Sequence, residues 1–134
     1  MIAKAQKSVP RDPKLADEWK NALNQLAAEV VLWANEENWS IHKESRTLRE
    51  SGLGSYRAPV IRLKSAQGEI WIEPTARFTA GTGEGRVDIT GWPSHSRATL
   101  IRQGDRWKIY DERFKQMRRH WSKQTLADLI ETLQ

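Results

Sequence analysis

The chain has 134 residues, of which 38% are hydrophobic and 29% charged, a composition that fits one globular domain able to bury a core without staples. It has no cysteine, so disulfides, thiolate-ligated zinc, iron–sulfur clusters and thiol catalysis are excluded, and a reducing, cytoplasmic setting is expected. The formal net charge of +5 is concentrated in residues 1–14 and 111–123, each carrying +3, while the rest of the chain sums to −1.

Residues 1–11 show no periodicity and are expected to form a flexible basic tail ahead of a single α+β domain over residues 12–134. The start of the chain lacks the apolar stretch of a secretory signal. The longest apolar run, residues 30–34, is too short to cross a bilayer, so a soluble protein without membrane contact is expected. A helix opens at Asp12-Pro13, with Asp12 as N-cap and Pro13 at the first helical position, where its missing N–H costs nothing. Leu15, Trp19, Leu23, Leu26, Val30 and Trp33 then recur at three- and four-residue steps. Ala16, Ala22, Ala27 and Ala34 flank this stripe and would let the helix lie close to a sheet. The pattern fades over residues 35–38.

The middle of the chain reads as strands. One begins near Trp39 and Ile41, residues 43–50 are ambiguous, and residues 51–55 are a glycine-rich loop. Residues 60–64 alternate, after Pro59 at the strand's start; residues 69–73 follow the Gln67-Gly68 turn. Pro74 interrupts, and residues 75–80 place Ala76 and Phe78 on one face. The Gly81-Thr-Gly-Glu-Gly85 loop resembles a phosphate cradle only superficially: a strand pattern follows it where a helix N-terminus would be needed, and Glu84 would repel the anion. Residues 86–90 come next, Gly91-Trp-Pro-Ser94 reads as a turn, and residues 97–102 and 106–110 form a last hairpin around Gln103-Gly-Asp105. Short strands with short polar connections imply an antiparallel meander, because parallel pairs need long crossovers.

The end of the chain has helical spacing. Phe114, Met117 and Trp121 continue into Leu126, Leu129, Ile130 and Leu133, as one helix or as two with Ser122 capping the second. The expected architecture is therefore α+β: an N-terminal amphipathic helix packed on an antiparallel meander of about five or six strands, with a C-terminal helix.

Strand alternation sets Trp71 on the polar face with Arg62, Lys64, Glu69, Glu73, Arg77, Arg86, Asp88, Arg106 and Lys108, opposite Ile61, Leu63, Ile70, Phe78, Val87 and Ile89. Cross-strand ion pairs on a solvated face account for most of these charges. Trp71 ringed by Arg62, Arg77 and Arg86 also forms a platform for a partner. If residues 113–123 are helical, Lys115, Arg118, Arg119 and Lys123 make a basic ridge that extends this surface. The leading expectation is a noncatalytic binding module that contacts an acidic protein or a nucleic acid through these residues. The alternatives are a metal-dependent, possibly degenerate, nuclease using Glu73 and Asp88, and a small-molecule pocket near Trp71. The nuclease alternative lacks the acid–x–Lys pair on the strand after Asp88. The three histidines, His42, His95 and His120, have no zinc-ligand spacing, so neither a metal nor a cofactor is expected.

Overall fold

The computed structural model describes residues 13–77, 85–111 and 118–134. Helix α1, Pro13–Glu37, buries Trp19, Leu23, Leu26 and Val30, together with the small flanking residues Ala16, Ala22, Ala27 and Ala34. Its end is closed in the Schellman manner. Asn38 takes a left-handed conformation (φ 58°), and the Trp39 N–H reaches the Ala34 carbonyl at 2.9 Å. The expected cap at Asp12 and the tail before it lie outside the described residues.

Among the described residues seven strands follow in one antiparallel sheet: β1 Ser40–Glu50, β2 Gly54–Ser65, β3 Gly68–Ala76, β4 Gly85–Trp92, β5 Arg97–Gln103, β6 Arg106–Asp111 and β7 Arg118–His120. Their spatial order is their chain order, so the sheet is a meander and the chain is α+β, with more strands than the five or six expected. One difference arises at the ambiguous residues 43–50, which complete β1. The other arises at β7. Helical spacing suggested a helix over residues 113–123, but Arg118, Arg119 and His120 instead pair with Tyr110, Ile109 and Lys108. A free β6 edge presents backbone donors and acceptors that a neighbouring strand satisfies. Residues 112–117 lie outside the described residues, as do Phe78 and the 78–84 segment.

Helix α2, Lys123–Thr132, is thus a separate helix. Ser122 caps it reciprocally: its Oγ accepts from the Thr125 N–H at 3.2 Å, and its own N–H donates to Thr125 Oγ1 at 2.9 Å. Leu126, Leu129, Ile130 and Leu133 join α1 and the sheet in one buried cluster with Leu63, Ile70, Val87, Ile89, Leu100 and Ile109. Both helices therefore cover the same sheet face. The end of α2 comes so close to β4 that a Cβ on Gly91 would fall 2.0 Å from the Leu133 carbonyl oxygen. Among the described residues, no helix is long and apolar enough to cross a membrane.

Two irregularities decide which side chains face which way. The β1–β2 ribbon keeps one register from Ser40↔Lys64 to Glu50↔Gly54, yet β2 pairs with β3 only from Ile61 to Ser65. Where it parts from β3 its buried face changes, from Tyr56, Ala58 and Val60 to Ile61 and Leu63. A two-stranded ribbon twists more than a sheet interior, and Pro59, which lies inside β2 rather than at its start, has no N–H to hold the departing edge. The second irregularity is a register shift in β3 between Pro74 and Ala76, so β3 continues through a proline that looked like an interruption.

Candidate binding surface

The face of the sheet away from the helices carries rows of side chains fixed by register. One row runs Arg62↔Trp71↔Thr90↔Arg97, and the next runs Lys64↔Glu69↔Trp92. Trp71 is held from both flanks. From β2, the Arg62 guanidinium lies 4.8 Å from its ring centroid. From β4, Trp92 stacks on it at 5.7 Å with an interplanar angle of 27°. Its indole N–H donates to Glu69 at 2.9 Å. His95 meets Trp92 edge-on at 4.8 Å, on a turn closed by the Gly91 N–H to the Ser96 carbonyl at 2.8 Å.

This stack leaves Trp92 as the open ring, 44% exposed, while Trp71 is half-buried beneath its neighbours. Arg62 is committed to the ring: its Nε is buried with no hydrogen-bond partner, and its nearest carboxylate, Glu44, stands at 4.0 Å. His42, Arg62, Lys64 and Glu69 line a shallow hollow of about 260 Å3 beside the stack.

Further along the same face, Glu73 and Asp88 are register partners. Each is engaged by arginine: Arg46 reaches Glu73 at 2.6 Å, and Arg86 and Arg97 reach Asp88 at 2.8 and 3.6 Å. The two carboxylates of the nuclease alternative thus sit in ion pairs, and no three potential ligands converge among the described residues.

The other expected site residues do not join Trp71. Arg77 follows the β3 register shift. Its backbone N–H donates to the Glu50 carboxylate at 3.0 Å, and its side chain lines a hollow beside Trp19 and Arg102, towards α1. Arg118 is placed in β7 opposite Tyr110, and Arg119 pairs with Asp128 at 3.5 Å. Lys123 joins the start of α2 to the end of α1 through Glu36 and Glu37, both at 3.2 Å. Its hydrogen bond to Glu36, and then that to Glu37, hold its ammonium above the ordinary lysine value. Lys115 lies outside the described residues. Among the described residues, Arg119 and Lys123 are thus drawn into separate ion pairs.

Trp92, His95 and Lys64 were missed as site residues. The signal was present for Trp92: Val87, Ile89 and Gly91 alternate inward, which turns Asp88, Thr90 and Trp92 outward. The Gly-Trp-Pro spelling of a turn masked it.

No protein-family model, curated protein or solved structure matches the chain.

Proposed function

We propose that this chain is a noncatalytic binding module that takes an acidic segment of a partner protein on the open face of its sheet. Trp92 supplies the apolar contact, and Arg62 and Lys64 supply the cations around it. The observation that carries this reading is the Arg62–Trp71–Trp92 stack. A ring and a cation locked by packing before the partner arrives lose little freedom on binding, and aromatic and arginine side chains carry most of the energy at protein interfaces.

The same geometry favours an acidic protein over single-stranded nucleic acid. Sequence-tolerant strand binding relies on successive exposed rings on which bases stack. Among the tryptophans, tyrosines and phenylalanines of the described residues Trp92 alone is exposed, and Trp71 has both flanks occupied.

The test is titration of poly-L-glutamate and of an oligothymidylate into the wild type and Trp92→Ala at low and high salt. Polyglutamate is expected to bind the wild type at low salt and to weaken about tenfold or more in the variant, the scale of a truncated hot spot. Equal binding to both proteins, or tighter binding of the oligonucleotide, overturns the reading.

A further inference from the structure

On the other side of the sheet, α1 and the β5–β6 hairpin border a half-open hollow of about 350 Å3 whose walls include Leu26, Glu29, Arg102, Trp107 and Trp121. A second hollow of about 310 Å3 adjoins it and shares Arg102 and Asp105. Arg102 therefore stands between them. Alternation puts it inward, as Leu100 is inward, and its guanidinium rests 5.1 Å from the Trp107 ring centroid.

Arg102 differs from four other arginines of the sheet. Arg46, Arg86, Arg97 and Arg119 each have a carboxylate oxygen between 2.6 and 3.6 Å away. Among the described residues Arg102 has none at ion-pairing distance. Burial holds its pKa below the ordinary arginine value, against the pull of the more distant Asp105 and Glu29. A guanidinium stays charged even so, so a partly desolvated cation faces the hollow with its fork of donors unused. The partly exposed ring of Trp121 lines the same hollow. Trp121 Nε1 is buried and has no hydrogen-bond partner, while its ring packs on Trp33 at 5.5 Å. Unmet buried donors are rare because each forfeits its hydration.

We propose that this cleft binds a small organic monocarboxylate with an apolar, planar body. The carboxylate takes the Arg102 fork, and the body lies against the partly exposed Trp121 ring. Planar bidentate pairing is what a guanidinium offers a carboxylate. Glu29 and Asp105 line the site together with Arg106 and His120, so its excess of positive charge is small and suits a single carboxylate. The volume suits a ligand of several heavy atoms rather than a single water. The site lies on the helix-covered side and does not depend on the Trp92 surface.

The experiment follows the indole N–H signals of the seven tryptophans by two-dimensional NMR, with Trp121→Phe identifying the Trp121 signal. Benzoate is the probe. Inorganic phosphate supplies charge without an apolar body, and benzyl alcohol supplies the body without charge. Benzoate should shift the Trp121 signal and saturate below about 10 mM, as expected for a fragment of this size. Phosphate and benzyl alcohol should not. Arg102→Gln should abolish the shift with the other indole signals in place, whereas Trp92→Ala should leave it unchanged. The proposal is overturned by a linear, unsaturated response to benzoate, by an equal response to phosphate, or by a shift that survives in a folded Arg102→Gln protein.

Discussion

Each face of the sheet holds tryptophans in ring contact at nearly the same separation, in opposite surroundings. On the helix-covered face Trp19 and Trp107 meet at 5.9 Å inside the core, and Trp19 donates to Tyr56. On the open face Trp71 and Trp92 meet at 5.7 Å with one ring in water. Ring contact is therefore no measure of purpose in this molecule. The covered pair removes apolar area from water and so stabilises the fold. The open pair leaves that gain partly unrealised and keeps a surface that a partner can complete.

The largest test of this contrast is Trp19→Ala. Trp19 is 2% exposed, and its ring edge fills the space over Gly85, where an added Cβ would lie 2.5 Å away. Removing the ring leaves a cavity between α1 and β4 that a close-packed core collapses into only partly. The loss should be about 3–5 kcal/mol, read from the urea midpoint at constant slope. An unchanged midpoint would mean that α1 does not anchor the sheet through this residue.

Tyr56→Phe probes the polar part of the same core with a smaller effect. The Tyr56 hydroxyl accepts from Trp19 Nε1 at 3.0 Å and donates to the Glu50 carboxylate. The substitution leaves the indole N–H and one carboxylate contact unmet, which should cost about 1–3 kcal/mol. The phenol also links stability to pH. Burial, followed by the hydrogen bond to Glu50, holds its folded-state pKa well above the ordinary 10.0. The unfolded chain therefore loses this proton first as pH rises. The stabilisation from the neutral phenol is fully present below about pH 10 and declines above it. Denaturation midpoints of the wild type should fall faster than those of Tyr56→Phe above that pH. Parallel profiles would show that Tyr56 is not buried in its neutral form.

The covered face was the more legible of the two in the sequence, and the reason is periodicity. The α1 stripe and the alternation at Ile61, Leu63, Ile70, Ile72, Val87 and Ile89 lead directly to the buried cluster. Arg62 beside Trp71 followed from the same alternation. The failures fall where a local rule was overridden by a neighbouring strand. Residues 43–50 are mostly exposed and carry little apolar signal, so β1 is defined by its pairing with β2. Helix-like spacing around residues 118–120 lost to the open β6 edge. Arg77 changed sides because parity does not survive the Pro74/Ala76 register shift. Trp92 was hidden by a following proline, although its strand runs one residue past the glycine that suggested a turn.

Trp92→Ala should have the smallest effect on stability, and that smallness is what separates the two faces. The ring is already 44% exposed, so truncation returns little further apolar area to water and opens no closed cavity. What is lost is the stacking on Trp71 and the edge contact with His95. Aromatic pairs contribute about 0.5–1.5 kcal/mol beyond burial, and a half-solvated pair belongs at the low end. Arg62 still covers the other flank of Trp71, and Glu69 still accepts its indole N–H, so Trp71 keeps its position. The urea midpoint should therefore shift by about 0.5–1 kcal/mol, several-fold less than for Trp19→Ala. If Trp92→Ala instead approached the Trp19→Ala value, the open-face stack would be a second core holding the β3–β4 pair together. Its exposure would then reflect packing rather than a surface kept for a partner.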